Sequence, residues 1–180
     1  MTKKIWGPNT PWKTESAWWG YLRGCLRKAW SRNPIKLNLL KSKRKQIPNP
    51  NPRGKKDTVW GFDCEMCDKT HVMAEGEVDH IVGAGSLKSV EDIQGFVERL
   101  LFVTEDDLRL ICKPCHRAIT YAEKSGMSFD DAKIEKEAIR ICAEGVDKQW
   151  LVEHNQVPAS SKAKRREQII NYLKEIKNES

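Results

Sequence analysis

Two Cys-x2-Cys pairs constrain this chain more than any other feature: Cys64-Glu65-Met66-Cys67 and Cys112-Lys113-Pro114-Cys115. The chain opens Met-Thr-Lys-Lys and runs into tryptophans and basic residues, not into an apolar leader. Disulfides are therefore the poorer expectation. Four cysteines in two such knuckles are read as a tetrahedral structural zinc site, the alternative being buried or redox-idle thiols. The 44 residues between Cys67 and Cys112 call for a substantial insert between the knuckles. Cys25 and Cys142 lack partners at metal spacing and are expected to be packing residues.

A chain of 180 residues has room for one compact domain with attachments, or two small ones. No stretch approaches the length of apolar sequence that a membrane helix needs. The formal charge of +7 is unevenly spread. Residues 1–60 hold 15 Lys/Arg against 2 Asp/Glu, residues 61–125 hold 7 against 13, and residues 126–180 hold 10 of each. A basic arm thus precedes an acidic middle and a neutral tail. The arm points to a polyanionic partner, and the acidic middle to cation binding or a solvated surface.

Apolar periodicity predicts a helix over 15–31, ending near Asn33-Pro34. Residues 41–56 carry Lys41, Lys43, Arg44, Lys45, Arg53, Lys55 and Lys56 around Pro48, Pro50 and Pro52, and read as an extended basic linker. A short strand is expected over 59–62, a hairpin over 71–82 around Gly76, a helix over 88–102 and a strand over 108–111. Helices are expected over 115–123, 130–143, 147–154 and 163–177.

Between the knuckles stands Glu77-Val78-Asp79-His80, and His116 directly follows Cys115. An Asp-His pair after one knuckle, and a Cys-x2-Cys-His in the other, resemble the zinc-stapled HNH endonuclease family over residues 60–122. The preceding Trp-rich basic arm is similar to that of bacteriophage HNH proteins. The resemblance implies an α+β fold with a small ββα-metal (His-Me finger) core and a four-cysteine zinc site, flanked by helical N- and C-terminal extensions. By position it implies His80 as general base, Asp79 and His116 as ligands of a catalytic divalent cation (magnesium or manganese), and Cys64, Cys67, Cys112 and Cys115 as ligands of structural zinc. Asp107 stands where the family has an Asn that orients the base. An aspartate can accept the same hydrogen bond and would favour a protonated imidazole, which bears on the pH optimum. Ile119 stands where the family often has a Lys, and the 88–102 helix is an insert relative to the shortest members, either a substrate contact or simple padding.

The chemistry suits phosphodiester hydrolysis. A histidine can take a proton from water near neutral pH, and a divalent cation can stabilise the leaving oxygen. The expected partner is double-stranded DNA. Arg23, Arg27, Lys28, Lys41, Lys43, Arg44 and Lys45 in the arm are expected to meet phosphates. Trp18, Trp19 and Trp30 either stack on bases or, as favoured here, pack the arm helix onto the core. The tail resembles a helix–extension–helix DNA-binding module, in which Lys162, Lys164, Arg165 and Arg166 would contact phosphates; the alternative is a helical hairpin docked on the core.

The expected organisation is a basic helical arm and linker over 1–57, an HNH nuclease domain over 58–125 and a helical extension over 126–180. The expected function is a metal-dependent DNA endonuclease in the cytoplasm, with no membrane association. The rival is a catalytically inactive HNH-fold zinc protein that binds nucleic acid or a protein partner.

Overall fold

The computed structural model describes residues 5–51 and 53–178. Pro52 lies outside them. The chain is α+β, with two small antiparallel sheets. It divides into two compact units, Met1–Cys112 and Lys113–Ser180. Among the described residues no helix is long and apolar enough to cross a membrane.

The first unit begins with α1 (Glu15–Ser31), capped by the Thr14 hydroxyl, which accepts from the Ala17 N–H. Next comes α2 (Pro34–Lys43), where Asn33 caps and Pro34 fills the first turn, a position at which a missing N–H costs nothing. The Asn33-Pro34 step therefore ends one helix and starts another. β1 (Lys45–Pro48) pairs antiparallel with β2 (Thr58–Asp63), and β2 with β3 (Thr70–Val72). The basic linker expected over 41–56 is thus folded for much of its length. Lys41 and Lys43 ride on α2, and Lys45 sits in a strand.

β4 (Gly76–His80) pairs antiparallel with β5 (Leu108–Cys112) in the second sheet. The hairpin expected over 71–82 is corrected here. β3 and β4 are joined by a 3-10 turn at Met73–Glu75 but belong to different sheets. The switch passes through Gly76, where a Cβ would stand 2.9 Å from the Phe62 ring, so the glycine permits this close approach. The β4–β5 connection carries α3 (Asp92–Leu101), which packs against α1. Phe62, Leu87, Phe96, Leu100 and Leu110 are buried in this unit, and Trp19 and Trp30 of the arm are buried with them. The packing role favoured for these two tryptophans is what the structure shows. Cys25, expected to pack, is exposed, while Cys142 is buried.

The second unit is helical: α4 (Lys113–Ser125), α5 (Phe129–Ala143), α6 (Asp147–Glu153) and α7 (Lys162–Asn178). Gly126 (φ 70°) and Gly145 (φ 76°) follow α4 and α5 in the left-handed conformation that glycine supplies without strain. Ala138, Ile141, Cys142, Leu151 and Ile169 form its core. The tail helices α6 and α7 close over this core beside α5.

Candidate active site and metal centre

The knuckles converge. The Sγ atoms of Cys64, Cys67, Cys112 and Cys115 all lie within 4.8 Å of one another, and Cys67 and Cys112 are 4.0 Å apart. A tetrahedral zinc with bonds of about 2.3 Å needs S···S separations of about 3.8 Å. The cluster can hold such an ion with adjustments under an ångström. Among the described residues it is the one group of three or more metal-ligating side chains brought together. Its local folding follows from the backbone. Asp68, at φ 55°, turns the chain after Cys67, and Cys64 accepts from the Cys112 N–H at 3.3 Å. Burial opposes ionisation of Cys64, yet the N–H groups of Cys112, Met66 and Cys67 stabilise the thiolate and bring its pKa from 9.0 down to about 7. A thiolate stabilised in this way is suited to binding a metal ion such as zinc. Glu65 fastens the first knuckle to β5, its N–H donating to the Leu110 carbonyl and its carboxylate accepting from the Leu110 N–H.

One neighbour of the cluster was not anticipated. His71 Nε2 stands 3.9 Å from Cys67 Sγ, and its Nδ1 bonds Glu75 Oε2 at 3.1 Å. The Cys67-x3-His71 spacing was the available signal, since it falls among spacings typical of zinc motifs.

His80, the last residue of β4, lines a cleft of about 250 Å³. Glu98, Arg99 and Asp107 share that cleft, with Val82, Phe102 and Val103 as its apolar wall. His80 Nε2 lies 3.2 Å from the Leu100 carbonyl. A carbonyl only accepts, so Nε2 carries the proton, and in the neutral ring Nδ1 holds the lone pair. The Trp30 ring packs on the imidazole, 4.2 Å between centroids. No sequence signal linked an arm tryptophan to this histidine.

Asp107 is in the cleft with His80, but its Oδ2 accepts from the Thr104 N–H (2.8 Å) and hydroxyl (2.9 Å) in a capping box. Those two bonds, with the nearby His80, hold its carboxyl below the usual carboxylate range. The Asp107 carbonyl also accepts from the Ile81 N–H at 2.9 Å, tying the two sides of the cleft together.

Asp79 precedes His80 in the strand and so points to the other face of the sheet. It faces Arg109, its register partner on β5, which donates Nε (2.9 Å) and Nη2 (2.8 Å) to Asp79 Oδ2. His116 lies half-buried in the first turns of α4, one residue after Cys115.

The expected phosphate contacts divide. Arg27, Lys28, Lys41, Lys43, Arg44 and Lys45 are exposed. Of these, Lys45 pairs with Asp63 at 2.6 Å and Lys43 with Glu65 at 3.6 Å, and Arg44 lies over the Trp60 ring at 4.3 Å. Arg23 is turned inward, donating to the Leu87 carbonyl at 2.7 Å. In the tail Lys162 and Lys164 are exposed. Arg165, expected among the phosphate contacts, is buried instead. Its Nε donates to Asp147 at 2.6 Å and its Nη1 to the carbonyls of Ala159 and Ser160. Arg166 pairs with Glu135.

Comparison with protein-family models, curated proteins and solved structures gives no match.

Proposed function

We propose that the protein is a metal-dependent HNH-type DNA endonuclease. The observation that carries this reading is the Leu100 carbonyl on His80 Nε2, which leaves Nδ1 as the basic nitrogen of an imidazole set in a cleft. The strand pair β4–β5 followed in the chain by α4, with Cys112 closing β5 and Cys115 in the first turn of α4, follows the ββα order that the HNH resemblance implies.

In the proposed reaction a water molecule attacks phosphorus while His80 Nδ1 takes its proton. A new P–O bond forms to the water oxygen, and the bond from phosphorus to the departing deoxyribose oxygen breaks, that oxygen taking a proton from solvent. A divalent cation, when bound, would stabilise the charge on that leaving oxygen. The HNH resemblance assigns such a cation to Asp79 and His116, a carboxylate and an imidazole of the kind that suit magnesium or manganese; to serve in this way Asp79 would have to exchange Arg109 for the ion. Zinc in the cysteine cluster would be structural. Exposed Arg27, Lys28, Lys41 and Arg44 would neutralise duplex phosphates, and Phe102, 78% exposed at the cleft wall, offers an apolar contact.

A second reading has its own support. Arg109 already engages Asp79, and the Asp107 carboxylate is committed to Thr104. Both favour a zinc protein that binds nucleic acid without cutting it. Plasmid cleavage with magnesium or manganese separates the two. The nuclease reading expects wild type to nick or linearise the plasmid and His80→Ala to be about 10²–10⁴-fold slower, the usual worth of a general base. Equal absence of cleavage by both proteins with either metal abolishes it.

A further inference from the structure

Arg99 had no role in the sequence-based expectations, yet it is the one Lys or Arg lining the His80 cleft. Its placement is specific. The Nε donates to the Ala84 carbonyl at 3.1 Å, and that is its only hydrogen bond among the described residues. The guanidinium lies between two glycines. A Cβ at Gly95, in the first half of α3, would stand 3.0 Å from Nη1, and one at Gly85 would stand 3.2 Å from Nη2. Gly85 also adopts φ 78°, which side chains rarely tolerate. The neighbouring carboxylate of Glu98 accepts from Gln94 at 2.8 Å and makes no ion pair with Arg99. The cleft thus holds a planar cation whose stem is anchored through one N–H and whose terminal nitrogens are flanked by bare backbone.

We infer that Arg99 binds a phosphodiester in the His80 cleft and positions it for attack. This rests on the nuclease reading above. A guanidinium presents two parallel N–H donors to two phosphate oxygens, which fixes orientation as well as supplying charge. Glu98 and Asp107 give the cleft carboxylates, so a polyanion entering it needs such a cation. The helix that carries Arg99 lies in the insert between the knuckles, and this gives that insert a purpose.

The test uses the full-length chain. A 20-base-pair duplex is titrated in rising salt with His80→Ala and with His80→Ala/Arg99→Gln, so that no cutting intervenes. Loss of one phosphate contact should weaken binding by roughly tenfold and reduce the slope of log K against log salt by about 0.9. Single-turnover cleavage is then compared for wild type, Arg99→Gln and Gly95→Ala. Arg99→Gln should cleave at least tenfold more slowly, whereas Gly95→Ala, which improves helix propensity and asks the flexible guanidinium end to yield only slightly, should melt no lower than wild type and keep most of the rate. An unchanged salt slope on loss of Arg99, or wild-type cleavage by Arg99→Gln, overturns the inference while a cleaving wild type leaves the nuclease reading standing. If wild type cleaves nothing, the nuclease reading fails, and the salt slope still decides whether Arg99 holds phosphate.

Discussion

Replacing Cys64 with serine should unfold the first unit at temperatures where the wild type is intact. Cys64 and Cys112 are 48 positions apart. A cross-link closing a loop of that length removes about 4 kcal/mol of chain entropy from the unfolded state. That figure counts only chain closure and applies when loss of the Cys64 ligand releases the metal, since Cys67 could otherwise close nearly the same loop. It is comparable to the whole stability of a small domain, about 5–15 kcal/mol. At the ~4–8 °C that each kcal/mol moves the midpoint of a domain of this size class, the melting temperature should fall by about 15 °C or more. Cys64 is the informative choice because it is fully buried and accepts the Cys112 N–H. Serine fits the space but offers a poor zinc ligand. The assay is a circular-dichroism melt of both proteins as purified, with metal counted by elemental analysis. Wild type should carry one zinc per chain, and a strong chelator should lower its melting temperature toward that of Cys64→Ser. A variant melting within a couple of degrees of wild type, or a wild type without metal, would refute a structural four-cysteine centre.

The Asp79–Arg109 pair makes a second claim testable. Arg109→Gln removes two charge-assisted bonds from the Asp79 carboxylate. If a divalent cation uses Asp79, the variant should need about tenfold less manganese for half-maximal binding or cleavage; unchanged metal dependence would separate Asp79 from the metal. In the second unit, Arg165 holds the Asp147 carboxyl below the usual range. A depressed folded pKa means that this stability is present above the unfolded value of about 3.9 and is lost as pH falls through the lower folded value. Arg165→Met strands a buried carboxylate, so it should cost about 3 kcal/mol or more at neutral pH and recover part of that loss in acid, as read by urea melts at pH 7 and pH 3.5.

The sequence exposed what is local and periodic. The knuckle spacing located the metal cluster, and apolar repeats located α1, α3, α5 and α7 close to where they form. Sheet membership was not readable. Val72 and Val78 carry similar strand signals, yet β4 pairs with the distant β5 and not with the neighbouring β3, a choice that no local pattern encodes. The Pro34 boundary was read as a stop, although proline in a first helical turn is also a start. Residues that act through distant partners left no local trace. Arg109 meets Asp79 because of strand register, and Trp30 meets His80 because α1 folds onto the unit. Arg165 stands in a run of basic residues that resembles a solvated face. The Asp147 carboxylate and the Ala159 and Ser160 carbonyls hold it inside, while Lys162 and Lys164 stay exposed.

The same reasoning changes what the basic arm can be. Its formal excess over residues 1–60 is +13, but charge counted along a chain is not charge offered to a partner. Arg23 is spent on a backbone carbonyl inside the unit, and Lys43 and Lys45 face carboxylates of the acidic segment that follows. The arm's cations and the middle segment's anions therefore neutralise each other partly within the fold. Exposed ion pairs of this kind are worth little to stability, so a stronger polyanion can displace them at small cost. Binding energy would then come chiefly from Arg27, Lys28, Lys41 and Arg44, with Lys43 and Lys45 exchanging their carboxylates for phosphates. In that arrangement the acidic middle sharpens discrimination, because only a ligand more highly charged than a side-chain carboxylate releases the two lysines.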